Sequence, residues 1–157
     1  MADTLYIRRA GPGDAKMLYD WRNDEETRRV SGTIEPLDWN EHVKWLEKVL
    51  SGGFPGRALY IVEGDEHEPV GTVRSDDRED GFTEVSYTVA PEWRGKRVGK
   101  RMVVQFAREN LKGKKLVAHI KKGLNPASEA IALALGLAPF RETPSDDAKG
   151  APMVEWR

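Results

Sequence analysis

Between Glu84 and Arg101 (EVSYTVAPEWRGKRVGKR) the chain passes from one hydrophobic period to another across a single short loop. Val85, Tyr87 and Val89 alternate with Glu84, Ser86 and Thr88, the two-residue period of a strand with unlike faces. From Val98 onward Val98, Met102 and Phe106, flanked by Val103 and Ala107, recur at helical spacing. Pro91 stops the first pattern because it cannot donate to a ladder. Five of the eight residues from Arg94 to Arg101 are basic. A strand, a glycine-containing turn and a helix in this order aim backbone N–H groups and the positive end of a helix dipole at one place, which suits phosphate or pyrophosphate. Gly95 and Gly99 let a ligand come close to the backbone. The same string also serves as a solvated basic turn, since short glycine and lysine loops are common where nothing binds. It is neither a Walker loop nor a dinucleotide fingerprint, because neither GxxxxGK[ST] nor GxGxxG occurs.

The flanking patterns supply the other elements. Thr4–Arg9 reads as a short strand, and Gly11-Pro-Gly-Asp14 caps a helix carrying Met17, Leu18 and Trp21 that closes near Asp24. After a polar segment, Asp38 with Glu41 three residues later marks a second helix, with Trp39, Val43, Leu46 and Leu50 as its expected buried face. Strands at Ala58–Glu63, Val70–Arg74 and Glu84–Ala90 follow with turn-rich connectors, the pattern of an antiparallel meander. A helix from Val98 to about Leu111, a strand at Lys115–Ile120, a small-residue helix at Ala127–Leu135 and strands near Phe140 and at Met153–Arg157 complete the order β-α-α-β-β-β-α-β-α-β-β. In 157 residues this predicts one domain, residues 1–157, of α/β (α+β) class on a mixed sheet.

The 25 basic and 26 acidic residues leave a formal charge of −1, so no excess charge draws the whole surface to nucleic acid or to an anionic membrane. Trp93 is one aromatic beside the basic loop, thin support for a single-strand stacking platform. No nucleic-acid partner and no membrane association are expected. No apolar run approaches the ~20 residues needed to cross a bilayer. The absence of cysteine excludes thiol nucleophiles, thiolate metal sites and disulfides, and fits a reducing, cytoplasmic setting. His67 and His119 lack metal-ligand spacing and read as structural, so no metal is expected.

The string Val89–Lys100 (VAPEWRGKRVGK), followed by Asn125-Pro-Ala-Ser128 and Leu135-Gly-Leu137, resembles the GCN5-related N-acetyltransferase (GNAT) family over essentially the whole chain. The resemblance implies a mixed, mostly antiparallel sheet of about seven strands with about four helices, splayed where acetyl-CoA binds. In the family's cofactor loop, [QR]-x-x-G-x-[GA], Arg94 fills the first position and Gly99 the last. Arg97 stands where the middle glycine is usual, and Gly95 falls in a neighbouring slot that is also often glycine. By resemblance, the backbone at Val89 pairs with the pantetheine arm, and Arg94, Gly95, Lys96, Arg97, Val98, Gly99 and Lys100 hold the pyrophosphate. Asn125 and Ser128 contact CoA further along, with plain helix capping by Asn125 as the competing reading.

Glu84 is the candidate base for the acceptor amine, and a structural ion pair is its competing role. Many relatives carry a tyrosine as general acid where this chain, aligned without gaps, has Ala132; Tyr87, Ser128 or water is left for that task. Trp21-Arg-Asn-Asp24 and Glu41–Glu47 resemble the branch that acetylates nucleotide-linked amino sugars, and W-R-N strings also occur in relatives acting on protein N-termini and aminoglycosides. Arg22 and Asn23 are thereby candidates for the acceptor site. His42, three residues from Trp39 and near the apolar seam, is a candidate pocket residue with packing as its competing role. Arg74, on a central strand, is a candidate for meeting an anionic substrate, with a solvated strand end as its competing role. The implied activity is acetyl transfer from acetyl-CoA to a primary amine of a small molecule, such as a nucleotide-linked amino sugar. Protein N-terminal acetylation is one alternative. A non-catalytic CoA-binding module is the other, favoured by Arg97 and Ala132. A homodimer is compatible with the resemblance.

Overall fold

The structure, a computed structural model, describes residues 4–30, 35–144 and 152–157. Strand β1 (Tyr6–Arg9) leads through a 3-10 turn into helices α1 (Ala15–Asn23), α2 (Glu25–Val30) and α3 (Trp39–Leu50). The meander β2 (Arg57–Glu63), β3 (Pro69–Asp77) and β4 (Phe82–Val89) follows, then α4 (Val98–Asn110), β5 (Lys115–Lys121), α5 (Pro126–Ala134), β6 (Pro139–Thr143) and β7 (Met153–Trp156). The strands form one mixed sheet in the order β1-β2-β3-β4-β5-β7-β6. Every neighbouring pair is antiparallel except β4 with β5.

Two details depart from the sequence expectation. Helix α2 lies in what reads as a polar segment, which brings the described helices to five rather than about four. It buries no residue and so has no apolar period to read. Its order comes from charge: Glu25 and Glu26 stand in the first turn and Arg28 and Arg29 in the last, matching the helix dipole. Asp24 accepts hydrogen bonds from the N–H (3.0 Å) and hydroxyl (3.2 Å) of Thr27 at its start. Helix α3 begins at the Asp38 cap as expected, with Asp38 accepting the Glu41 N–H at 3.0 Å. Its buried residues, however, are His42, Leu46 and Val49, while Trp39 and Leu50 are exposed. The helix is rotated from the expected stripe because both nitrogens of His42 find partners inside, so a polar residue holds a core position.

The cross-strand register sets Arg57, Asp76 and Glu84 in one row and Leu59, Arg74 and Ser86 in the next. Helices α1 and α3 cover this face, packing Leu18, Trp21, Leu46 and Val49 with Leu59 and Ile61. On the other face α4 packs Val98, Met102, Val103 and Phe106 with Val62, Val73 and Val85. Full burial of each such side chain contributes about 1.5–3 kcal/mol. A third, smaller cluster of Ile120, Ala132, Leu137 and Trp156 belongs to the β5–β7–β6 end.

Strands β4 and β5 pair over three rungs only, Phe82↔Lys115, Thr83↔Leu116 and Glu84↔Val117. Beyond Glu84 they diverge, while β4 stays paired with β3 as far as Val89↔Gly71. From Val85 to Val89 one edge of β4 therefore faces an opening instead of a neighbouring strand. This is the expected splay. No helix among the described residues is long and apolar enough to cross a membrane.

Candidate functional site

A cavity of about 810 Å³ opens at the splay, between β4 on one side and β5, β7 and α5 on the other. Glu84 lies at its closed end, with Oε1 3.3 Å from Nδ1 of His119 on β5. Nε2 of the same ring lies 3.3 Å from Glu155, its cross-strand partner on β7. Glu155 is only 1% exposed and meets Arg78 (3.2 Å), Arg141 (3.1 Å) and Arg157 (2.9 Å) as well. Burial pushes the Glu155 carboxyl up, but the guanidiniums of Arg78, Arg141 and Arg157 together hold it below its usual range. The contact with His119 lowers Glu84 despite burial, and Glu84 in turn raises His119, with Glu155 adding to the effect. The proton thus stays on His119 to a higher pH than on an ordinary histidine. Once it leaves, His119 and Glu84 together can accept a proton from a group in the cavity.

A second pair bridges the same two sides, from β4 to α5. Tyr87 Oη and Ser128 Oγ lie 2.7 Å apart, and both residues line the cavity. Burial keeps the Tyr87 phenol protonated above its usual pKa. Asn125 also lines the cavity, but its side chain accepts the N–H of Ser128 (3.2 Å) and caps α5. Ala132, buried at the same wall, brings no titratable group.

Of the ten residues assigned to the cofactor from sequence, only Asn125 and Ser128 line this cavity. The others cluster just beyond it, where α4 starts beside the end of β4. A Cβ on Gly99 would lie 3.1 Å from Val89 Cγ2, 3.3 Å from Tyr87 and 3.6 Å from Ile131. The missing side chain at Gly99 therefore lets α4 sit close against β4 and α5, a protein contact beside the ligand approach read from sequence. Arg97 precedes the helix at φ 61°, ψ 16°, in the left-handed region, and gives the helix end no side-chain cap. Arg94 turns away from the loop, donating to Asp24 Oδ2 and to Thr27 Oγ1 (2.8 Å), and so ties the loop to the start of α2. Trp93 packs against both principal clusters with Lys96 over its ring at 5.0 Å, so it is not a free stacking platform.

The four acceptor candidates separate in the same way. Arg22 and Arg74 line the cavity, whereas Asn23 and His42 do not. The Asn23 side chain accepts the N–H of Leu37 at 2.9 Å and fixes the segment after α2. His42 is buried, with Nε2 2.8 Å from the Ala15 carbonyl and Nδ1 3.0 Å from Arg22 Nη1. These partners assign the tautomer in which Nε2–H donates and Nδ1 accepts from Arg22. Burial keeps the ring neutral, and Arg22 reinforces this. His42 therefore acts on the cavity only through Arg22. No cluster of three or more side chains suited to a metal ion occurs among the described residues.

Residues 4–138 match the family model described as an acetyltransferase (GNAT) domain. The chain belongs to the GNAT acetyltransferase family. Its fold is similar to that of spermidine N-acetyltransferase from Vibrio cholerae in complex with CoA and spermine, with a TM-score of 0.81 at 16% identity, covering 97% of this chain and 93% of that one. It is likewise similar to a protein assigned as a phosphinothricin N-acetyltransferase, with a TM-score of 0.78 at 22% identity and coverage of 98% and 96%. No curated protein matches the chain in sequence. As a GNAT protein it is an acetyl-CoA-dependent N-acetyltransferase. His119 is the residue the geometry adds to this GNAT site. The alternation of KLVAHI was available to place it on one face with Val117, but only the parallel β4–β5 register brings that face to Glu84.

Proposed function

We propose that this GNAT protein transfers the acetyl group of acetyl-CoA to the primary amine of a small molecule held in the cavity at the splay. The observation that carries the reading is the placement of Glu84–His119 and Tyr87–Ser128 on the walls of one cavity. The open edge of β4 offers backbone groups to the pantetheine arm, as to an added strand. The uncapped N-terminus of α4 offers N–H groups to the pyrophosphate, with Lys96, Arg97 and Lys100 around it. Arg94 is assigned a positioning role through Asp24.

In the reaction the amine nitrogen attacks the thioester carbonyl carbon, a C–N bond forms, and the C–S bond breaks. The proton lost by the amine passes to Glu84–His119. The departing thiolate takes a proton from Tyr87, whose hydroxyl Ser128 re-supplies from solvent. Spermidine and phosphinothricin, the amines in the names of the similar structures, are small molecules. Neither is nucleotide-linked, so the amino-sugar acceptor rests on the resemblance of Trp21–Asp24 and Glu41–Glu47 alone.

Incubation with acetyl-CoA and a panel of primary amines should release free thiol with some members at rates well above the amine-free control. CoA binding without thiol release from any amine would leave only the non-catalytic module, and release with peptide N-termini alone would transfer the reading to proteins. Arg97 gives a separate test. Glycine enters the left-handed region without steric cost, but it also loses more backbone entropy on folding, and both effects are about 1 kcal/mol or less. Arg97→Gly should therefore melt within about 3 °C of the parent. A fall in CoA affinity of about 1.5–3 kcal/mol would assign the guanidinium to the phosphates. Unchanged affinity would place it in solvent.

A further inference from the structure

We infer that the acceptor amine carries an oxyanion, a carboxylate or a phosphate, which Arg22 and Arg74 bind at the α1–β3 end of the cavity. This rests on the proposed small-molecule acetyl transfer and names its substrate class. Three guanidiniums meet behind that end of the cavity: Arg22, Arg57 and Arg74. Arg57 (2.6 Å) and Arg74 (3.0 Å) share one carboxylate, that of Asp76. Arg22 has no carboxylate within ion-pair distance among the described residues; it is held by neutral His42 at 3.0 Å and by the face of Trp45 at 4.1 Å. Three positive charges therefore face one negative charge.

Such an arrangement is costly in a folded protein unless something completes it. A half-buried cation without a counter-ion loses hydration that hydrogen bonds to neutral groups only partly replace. Burial, with Arg74 and Arg57 nearby, brings the pKa of Arg22 down to about 10, the electrostatic signature of a crowded positive site. Yet the surroundings hold the guanidinium in place. His42 occupies an interior position to bond it, and Trp45 fixes its plane. A guanidinium fixed in plane, with N–H groups left toward a cavity, matches the fork geometry that carboxylate and phosphate accept.

Among the described residues three carboxylates line the cavity, Glu35, Glu84 and Glu155. Glu35 is exposed, so solvent screens it, and the other two do not offset this excess. Glu155 is already met by Arg78, Arg141 and Arg157, and Glu84 is engaged with His119. Glu84 also marks where the reacting amine belongs. Its cross-strand partner is Asp76, two residues along β3 from Arg74 and on the same face. The amine at Glu84 and the anion at Arg74 are thus separated by about one two-residue step of a strand, roughly 7 Å. That spacing suits a short aminoalkyl acid or phosphate. A polyamine would place further positive charge against Arg22 and Arg74.

Matched acceptors test the inference: phosphoethanolamine against ethanolamine, β-alanine against propylamine, and spermidine as the cationic arm, each read by thiol release. The expected result is a kcat/KM at least about tenfold higher for the anionic member of at least one pair, with spermidine lowest. Whichever pair discriminates identifies the oxyanion as phosphate or carboxylate. In Arg22→Gln that discrimination ratio should collapse toward one through KM, with the KM for acetyl-CoA unchanged. Arg22→Lys, which keeps the charge but not the fork, should retain part of it. A thermal melt accompanies each variant. Should Arg22→Gln fail to fold, protection of the parent against melting by phosphoethanolamine but not by ethanolamine gives the same reading. Turnover of neutral or cationic amines as good as that of their anionic partners overturns this inference and leaves the acetyl transfer standing. No thiol release with any amine overturns the acetyl transfer itself.

Discussion

Glu84→Gln is expected to lower turnover about 10²–10⁴-fold at neutral pH while CoA affinity stays within about twofold of the parent, the range for loss of a positioned base. At pH 7 only about one part in 10³ or less of an ordinary primary amine is unprotonated, so a proton acceptor beside it matters. Activity of the variant should partly recover at high pH, where more of the amine arrives neutral. The parent should show kcat/KM rising with pH through the raised pKa of His119, because the ring must lose its proton before the pair can take another. In Glu84→Gln the largest influence raising His119 is gone, so the ring should titrate at lower pH by NMR. Stability follows from the same two directions. The His119 contribution is fully present below the ordinary histidine pKa and is lost as pH rises through the raised value. The Glu84 contribution is present above the ordinary glutamate pKa and is lost as pH falls through its lowered value. Melts across pH should therefore show the penalty of Glu84→Gln largest between ordinary glutamate and histidine pKa values. A variant whose His119 titrates lower but which turns over as fast as the parent would assign Glu84 to the ion pair alone.

Gly99→Val should be the most damaging single change near the cofactor loop. The first added carbon already stands 3.1 Å from Val89 and 3.3 Å from Tyr87, and valine adds two methyls beyond it. Overpacking of this kind costs about 1–3 kcal/mol, or roughly 2–4 °C per kcal/mol in a domain of this size. Relief comes only if α4 moves off β4, which shifts the N–H groups proposed to receive the pyrophosphate. CoA affinity is expected to fall at least about tenfold, or 1.4 kcal/mol, by calorimetry. Gly99→Ala asks its neighbours to give only a few tenths of an ångström and should lie between valine and the parent on both measurements. A Gly99→Val protein with parental melting and parental affinity would remove the loop from the binding argument.

The two predictions show where sequence was legible. Elements with a strong period were readable: the β4 alternation, the α4 stripe and the Asp38 cap appear close to where their residues place them. The two-residue period also put Glu84, Ser86 and Thr88 on one face, and the register of β4 with β3 places them beside Asp76, Arg74 and Thr72. Interactions between elements were not readable. His119 is one histidine in an alternating strand until β5 lies parallel to β4. Arg94 matches a loop motif, yet its guanidinium reaches Asp24, seventy positions earlier. His42 looked like a pocket residue because it lies near an apolar seam, but hydrogen bonds to Ala15 and Arg22 turn that position into core. In each case the deciding partner is remote along the chain.

The three rungs joining β4 to β5 have a consequence for how such a protein changes over time. They sit at one end of both strands, and the β5–β7–β6 end has a separate small core in Ile120, Ala132, Leu137 and Trp156. Substitutions in that core touch few of the side chains that pack α4 on β3 and β4, and distant sites add nearly independently in their effects on stability. One wall of the slot can therefore be reshaped for a larger or smaller guest while the other keeps its register. A sheet stitched at one end behaves as two modules, and new specificity can arise in one without relearning the fold of the other.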